Sequence, residues 1–268
     1  MHVTPFIFHI ARTSLHDGAG IRTVVYFKGC NMHCRWCHNP EGLECKKELF
    51  FHQNKCIGCG ICETICPHIL RVGEIDRDAC IACGNCAKNC PANALEVIGN
   101  QMSVEELYSV IAKDRAYYDR SGGGVTLSGG ECLLYPEFVA ALLKKCKEND
   151  IHTLIESAFH VPWEHIASVL PYTDMFYADV KHMDSDIHKK YTGVSNERIL
   201  ENITRLAGMT KQIVLRTPAI PGVNDDPENL SRTEQFAHSL GLEHEVLKYN
   251  NLAKSKYTAL DKEYTEFS

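Results

Sequence analysis

The sequence predicts an α/β fold built from parallel βα units. Three observations carry that reading. Six short β-type segments recur along the chain, helical patterns separate them, and glycine or proline turns punctuate their ends. At 268 residues the chain is long enough for one large α/β domain, or for a domain with a small module. A closed or partly closed barrel and an open doubly wound sheet both satisfy the pattern. A full eight-unit barrel needs more chain than remains once the cysteine-rich segment is set aside. In either arrangement the functional loops belong at the C-terminal ends of the strands.

The elements follow in order. "IRTVVYFKG" (21–29) reads as the first strand. Ser103 and Glu106 form a capping box, and Val104, Leu107, Ile111 and Tyr118 follow at helical spacing. "GVTLSGG" (124–130) is a strand running into a glycine turn. Pro136 opens a helix that places Phe138, Val139, Leu142, Leu143 and Cys146 on one face. "IHTLIES" (151–157) and "TDMFYADVK" (173–181) are strands. A helix over 196–206 is expected to end at a Gly208 cap. "QIVLRTP" (212–218) is a strand, Asp226 and Pro227 begin a helix that stops at Gly241, and "HEVLKY" (244–249) is the last strand.

Composition is that of an ordinary globular protein, with 44% hydrophobic and 23% charged residues. The net charge of -6 argues against a nucleic-acid partner. No apolar run approaches the length of a membrane span. The N-terminal "MHVTPFIFHIAR" lacks a basic region before its short apolar stretch, so no secretory leader is expected and the cytoplasm is the expected compartment. Against that background, 14 cysteines are anomalous, and in a reducing compartment clustered cysteines point to metal.

"CIGCGICETICP" (56–67) and "CIACGNCAKNCP" (80–91) share the spacing C-x2-C-x2-C-x3-C-P, that of bacterial two-cluster ferredoxins. Three close thiolates wrap one cubane, and the cysteine before proline serves the other. The expected sets are therefore Cys56, Cys59, Cys62 with Cys90, and Cys80, Cys83, Cys86 with Cys66. Gly58, Gly60 and Gly84 suit a backbone close to a cluster. Zinc knuckles and purely structural clusters are the competing readings; electron relay is the functional one.

"KGCNMHCRWCHNPEG" (28–42) holds only three cysteines, Cys30, Cys34 and Cys37. Three thiolates on a cubane leave one iron open to a substrate, as the fourth position on a catalytic zinc is open. Cys45, Cys132 and Cys146 are the spare candidates for a fourth ligand. Cys146 falls on an apolar helix face, and Cys132 follows the glycine turn. Asp179 and Lys181 end a strand two residues apart, so both face one side; the pair suits a site and equally a structural ion pair. Arg216 also ends a strand, and its planar fork suits a carboxylate.

C-x3-C-x2-C after a first strand resembles the radical S-adenosylmethionine (SAM) superfamily. "GIRTVVYFKGCNMHCRWCHNPE" is similar, more narrowly, to the glycyl-radical-enzyme activating enzymes, the family of pyruvate formate-lyase activase. "VTLSGGE" (125–131), "DVKHMDSDIHKKYTGVSN" (179–196) and "LRTPAIPGVND" (215–225) continue the resemblance in order over most of the chain. The eight-cysteine segment is similar to the insert of the longer members. The resemblance implies a partial (β/α)6 TIM-like barrel formed by 1–44 and 98–268, with a ferredoxin-like insert at 45–97. It implies three [4Fe-4S] clusters and SAM as cofactors. The activity implied is reductive SAM cleavage at the cluster of Cys30, Cys34 and Cys37, followed by removal of hydrogen from a glycine of a partner glycyl radical enzyme. A flavodoxin or ferredoxin is the implied donor, in an oxygen-free cytoplasm, with the free protein a monomer.

For the site, the resemblance implies that Gly129, Gly130 and Glu131 meet the methionine amino group and that Trp36 and His38 meet the adenine. It implies that Asp179, Val180 and Lys181 meet the methionine carboxylate or ribose, with Arg216 and Glu156 alongside. Asn250 stands where the family has a SAM-contacting histidine; it can hydrogen-bond but cannot carry a proton. Cys132 stands where relatives often have proline, and Phe159 where they often have glycine. "DKEYTEFS" does not supply the terminal helix that the family would lead one to expect. Two other readings compete with the activase: a radical SAM enzyme acting directly on a small molecule or peptide, and a ferredoxin-type electron carrier. A carrier needs neither the three-cysteine loop nor the SGGE turn.

Overall fold

A computed structural model describes residues 3–268; Met1 and His2, the start of the stretch read for a leader, lie outside it. Strand β1 spans Phe6–Ser14 and β2 Arg22–Phe27. A cysteine-rich segment follows: β3 (Glu48–Phe51), helix α1 (Ile61–Ile65), β4 (Ile69–Arg71), β5 (Glu74–Ile75), α2 (Asn85–Lys88) and β6 (Leu95–Ile98). Next come β7 (Asn100–Gln101), α3 (Val104–Ala112), α4 (Arg115–Ser121), β8 (Gly124–Gly129), α5 (Pro136–Lys147) and β9 (His152–Ser157). The remainder is α6 (Trp163–Val169), β10 (Met175–Asp179), α7 (Ser185–Thr192), α8 (Glu197–Ala207), β11 (Ile213–Ala219), α9 (Pro227–Ser239), β12 (Glu243–Lys248) and α10 (Lys254–Leu260).

The main sheet has the order β12-β11-β10-β9-β8-β2-β1-β7. Its pairs from β2 to β12 are all parallel, and these are the six strands read from the sequence. Their order never reverses. A doubly wound sheet must reverse at a switch point, so that alternative is excluded. Right-handed crossovers in one direction put the helices on one face. That face carries the alternate residues Val25, Phe27, Val125, Leu127, Ile155, Phe176, Ala178, Ile213 and Leu215, which form the main core with α3, α5, α6 and α8. Period 2 sends Tyr26, Ser128, Glu156, Tyr177, Asp179 and Arg216 to the other face, and a polar interior results.

Local signals explain most boundaries. Ser103 accepts the Glu106 N–H while Glu106 reaches back to the Ser103 N–H, so the capping box is formed. The helical pattern running on to Tyr118 is broken, however, between α3 and α4. Asp114 lies in the break and accepts from Arg12 (Nε–Oδ2 2.9 Å) and Thr23 (2.7 Å), ties that a continuous helix would have to share. Gly208 ends α8 as expected, but with φ −72 rather than in a left-handed cap. The N-terminal apolar stretch, assigned to no element from sequence, is β1, antiparallel to β2.

The strands of the cysteine-rich segment stand apart from the main sheet. Strands β3 and β6 pair antiparallel from Glu48↔Ile98 to Phe51↔Leu95, and neither joins the main sheet. Leu49, Ile69, Ile75, Cys86 and Leu95 form a separate small core. Phe50 and Ile98 pack instead on Ala259 and Leu260 of α10. Among the described residues no helix is long and apolar enough to cross a membrane.

Candidate active site

A cavity of about 320 Å³ opens at the C-terminal ends of the six parallel strands. Cys30, Cys34 and Cys37 reach it from the loop after β2, Ser128, Gly129 and Gly130 from β8, and Glu156 and Ser157 from β9. Asp179 and Lys181 come from β10, Pro218 from β11, and Lys248, Tyr249 and Asn250 from β12 and the turn beyond it.

The cysteine loop is laced in place by its backbone. The Gly29 and Cys30 N–H groups donate to Gly42 and Leu43 (2.8 and 3.1 Å), and the His33 and Arg35 N–H groups donate to Thr192 and Tyr191 at the end of α7 (2.8 and 3.0 Å). Met32 N–H points at Cys30 Sγ and Asn39 N–H at Cys37 Sγ, each at 3.4 Å. Burial pushes all three thiols up, Cys34 to about 12, and Lys181 pulls Cys34 and Cys37 back. Thiols in this state become thiolates only against positive charge, which a bound iron cluster supplies.

No spare cysteine lines this cavity. Cys132 is fully buried with its thiol on the Leu127 carbonyl, and Cys146 is core, as its helix face predicts. Cys45 is exposed, with its thiol beside Gly29 and Tyr135. Among the described residues no three His, Cys, Asp or Glu groups converge as ligands of a single ion do. A cubane instead offers a different iron to each thiolate, so this donor set fits a cluster with one iron free of protein.

The glycine turn is held by close backbone approach. Gly130 N–H donates to Phe27 O (2.8 Å) and Glu131 N–H to Gly29 O (2.7 Å). Gly129 has φ +120, and a Cβ there would meet the Phe27 backbone. Gly129 and Gly130 face the cavity. Glu131 does not: its buried carboxylate takes the Ser157 hydroxyl (2.8 Å) and the Leu133 and Ala158 N–H groups (3.1 Å each). Burial pushes its pKa up to about 7.

Asp179 and Lys181 face the cavity as an ion pair, Oδ2 to Nζ 2.7 Å. Burial would lower the Lys181 pKa, but Asp179 and Cys34 outweigh it, so the ammonium persists. Val180, between them, points into the core and holds the neighbouring strand through its N–H on Arg216 O (2.9 Å). Arg216 is not in the cavity wall. Its fork is held by Glu156 (2.8 Å) and Glu245 (3.0 Å), and its guanidinium lies 4.6 Å from the Tyr177 ring centre. Glu156 in turn accepts from Ser128 Oγ (2.6 Å) and carries the link from Arg216 up to the cavity.

Trp36 is 5% exposed, packed against Tyr191 and Phe267, and lines the cavity. His38 donates to the Asn250 carbonyl (2.8 Å), so Asn250 meets His38 through its backbone. The Asn250 side chain accepts the Leu252 N–H (3.2 Å). Sequence reasoning missed Ser128 and Ser157, although strand-end position and period 2 mark Ser128. It also missed Lys28, which is buried at the base of the loop with its ammonium 2.8 Å from Glu48.

In the cysteine-rich segment, Cys56, Cys59, Cys62 and Cys90 line one small cavity. Cys86, raised to about 11 by burial, lies within electrostatic reach of Cys66, Cys80 and Cys83.

Residues 24–233 match the radical SAM superfamily. The chain is 45% identical over 272 residues to the (2S)-3-sulfopropanediol dehydratase activating enzyme of Klebsiella oxytoca, covering 96% of this chain and 86% of that one. It is 41% identical to the trans-4-hydroxy-L-proline dehydratase activating enzyme of Clostridioides difficile (98% and 90% covered). With the choline trimethylamine-lyase activating enzyme of Oleidesulfovibrio alaskensis it shares 40% identity (96% and 87% covered). Among solved structures, Streptococcus suis SuiB bound to precursor peptide SuiA superposes with TM-score 0.56 at 14% identity, over 90% of this chain and 42% of that one, a likeness of fold alone. With the three-cysteine loop at the mouth of a parallel sheet, these matches make the chain a member of the radical SAM superfamily, among the activating enzymes of glycyl radical enzymes.

Proposed function

We propose that this chain binds SAM in the cavity above the parallel strands and generates the radical that activates a partner glycyl radical enzyme. The observation that carries the reading is the cavity itself, lined by three cysteines and no fourth, and by the Asp179–Lys181 pair. A [4Fe-4S] cluster on Cys30, Cys34 and Cys37 would supply the electron that splits SAM into methionine and a 5′-deoxyadenosyl radical, which takes a hydrogen atom from the partner's glycine.

The protein's part is orientation and exclusion of water. Lys181 offers a fixed cation to the methionine carboxylate, and Asp179 keeps it oriented. Gly129 and Gly130 present bare backbone to the methionine amino group, and a Cβ at either would collide with the Phe27, Gly29 or Gly42 backbone behind the turn. Trp36 and His38 flank the adenine. Arg216 and Glu156 act from beneath as a buried brace, and Val180 and Glu131 hold the strand ends that carry the contacts. Asn250 contributes backbone to the wall rather than a proton.

We further read the main fold as a partial (β/α)6 barrel and residues 45–97 as a ferredoxin-like insert with two more clusters. One would sit on Cys56, Cys59, Cys62 and Cys90, the other on Cys66, Cys80, Cys83 and Cys86. The cavity shared by Cys56, Cys59, Cys62 and Cys90 supports that pairing. A flavodoxin or ferredoxin would feed the insert in an oxygen-free cytoplasm, and the free activase would be a monomer.

The test is anaerobic reconstitution with iron and sulfide, iron counting, reduction and addition of SAM. About 12 irons per chain, with 5′-deoxyadenosine formed only when Cys30, Cys34 and Cys37 are present, is the expected result. About 8 irons with no SAM cleavage would leave an electron carrier and end the activase reading.

A further inference from the structure

The second half of the cysteine loop is gripped from behind by residues far away in sequence. Tyr257 Oη donates to the Cys37 carbonyl (3.1 Å). Lys256 Nζ donates to the His38 carbonyl and to Asn39 Oδ1 (3.1 Å each) and pairs with Glu41 at 2.6 Å. Lys262 Nζ reaches the Pro40 carbonyl (3.3 Å) and Glu48 (2.9 Å). Lys28 completes the ring from inside, on the Glu41 carbonyl and on Glu48. The carbonyls of residues 37, 38, 40 and 41 thus each receive a side-chain donor, three of the four from the segment 256–262. That segment is itself seated, because Ala259 and Leu260 pack on Phe50 and Ile98.

We propose that α10 and Lys262 form a clamp that sets the reduction potential of the cluster on the three-cysteine loop, with Lys256 and Tyr257 as its positioning residues. This rests on the SAM-cluster reading above and goes beyond it. The physical route is short. Asn39 N–H donates to Cys37 Sγ, and hydrogen bonds to cluster sulfurs and nearby charge are main determinants of a cluster's potential. Lys256 holds the residues on both sides of that N–H, the His38 carbonyl and the Asn39 side chain. Tyr257 holds the carbonyl of Cys37 itself. Loosening either frees the N–H···S contact, leaves the thiolate richer in electrons, and makes the cluster harder to reduce. Lys256 also brings a cation to the same side, so its removal acts in the same direction. Fixing Glu48 on β3 between Lys28 and Lys262 ties the cysteine-rich segment to the same clamp.

The decisive measurement is a potentiometric titration followed by electron paramagnetic resonance on the reconstituted full chain. SAM alters the signal only of a cluster with an open iron, so the SAM-responsive signal isolates the relevant cluster. Lys256→Met is expected to lower its reduced-to-oxidised ratio at fixed potential about tenfold, which is about 59 mV for one electron. Tyr257→Phe, which changes no charge, should lower it about threefold. Lys256→Arg should recover most of the wild-type ratio. Lys254→Met is the control: it removes a cation from the same helix, but Lys254 is exposed and, among the described residues, paired with Glu266 (3.7 Å) rather than with the loop. Its titration should match wild type.

Variants at 256 and 257 that titrate with wild type would overturn the clamp. So would a Lys254→Met shift as large as that of Lys256→Met, because charge alone would then explain the effect. If Lys256→Met sheds about four irons and keeps about eight, no potential is left to read in that variant and Tyr257→Phe decides. If Lys256→Met does not fold, Tyr257→Phe decides. A wild-type chain without any SAM-responsive signal would end both the clamp and the reading on which it rests; a normal wild-type signal with unmoved variants would end the clamp alone.

Discussion

Gly130→Ala should damage this protein far more than an ordinary glycine replacement. Gly130 sits where three segments meet: the end of β8, the end of β2, and the exit of the cysteine loop. A Cβ at Gly130 would fall well inside 3.0 Å of both the Gly29 and Gly42 carbonyl oxygens. Both obstacles are backbone, so no side-chain rotation relieves them. Restoring normal contact needs a displacement of about 1 Å, at overpacking costs of about 1–3 kcal/mol. The same displacement pulls on the Gly29 N–H to Gly42 O bond (2.8 Å) and the Glu131 N–H to Gly29 O bond (2.7 Å). Each buried polar group left unpaired costs about 1–3 kcal/mol. The sum is about 3–9 kcal/mol, a large part of the 5–15 kcal/mol that typically holds a domain together.

Gly222→Ala is the matched control. Gly222 has φ +68 and nothing within 4 Å of its added Cβ, so only the left-handed backbone strain of about 1–2 kcal/mol applies. Guanidinium denaturation of both variants and wild type, in anaerobic reconstituted protein, compares the two directly. With a slope of roughly 3 kcal/mol per molar, Gly130→Ala should move the midpoint down by about 1 M or more, and Gly222→Ala by about half that or less. The variant at 130 should also lose SAM binding, because Gly130 and Gly42 hold the loop that carries the cysteines. Equal midpoint shifts for the two variants would refute the close-approach argument.

The other expectations are briefer. Cys34→Ala should drop the iron count by about four from about 12, whereas Cys45→Ala and Cys132→Ala should leave it unchanged; iron loss at Cys132 would make it a ligand. Burial raises Glu131 to about 7, against about 4.3 in an unfolded chain. Between those values the folded state keeps a proton that the unfolded state releases, so stability is greater at the acid end and falls as pH rises, by up to about 1.4 kcal/mol per unit. Urea denaturation of cluster-free wild type and Glu131→Gln from pH 5 to 8 should therefore show the slope only in wild type; parallel curves would rule it out. Arg216→Met should cost up to about 3 kcal/mol by leaving the half-buried Glu156 carboxylate without its cation. Adding Glu156→Gln should recover 1–3 kcal/mol of that in a double-mutant cycle, and strictly additive losses would show that the pair is not coupled.

What the sequence disclosed and what it hid follow from the range of the forces involved. Strand and helix positions depend on period and on caps a few residues away, so the six parallel strands, the Ser103 capping box and the Pro136 start could be read directly. Cysteine spacing is also local, so the C-x3-C-x2-C loop and the two C-x2-C-x2-C-x3-C-P runs are plain in the sequence. Side-chain direction at strand ends was partly legible: period 2 placed Asp179 and Lys181 together and, by the same rule, turns Val180 into the core. The rest depends on contacts between segments that sequence distance conceals. Arg216 looked free to grip a ligand because nothing near it in sequence binds it; Glu156 lies 60 residues before it. Lys256 and Tyr257 follow the last strand in a stretch with no motif, yet they hold carbonyls 218 and 220 residues earlier. Trp36 is covered by Phe267, which comes from the far end of the chain. The cysteine loop is therefore specified twice, by its own spacing and by a frame assembled from Lys28, Gly42, Gly130 and α10, and only the first specification is visible without the fold. A variant that preserves C-x3-C-x2-C but disturbs that frame should keep the motif and lose the chemistry.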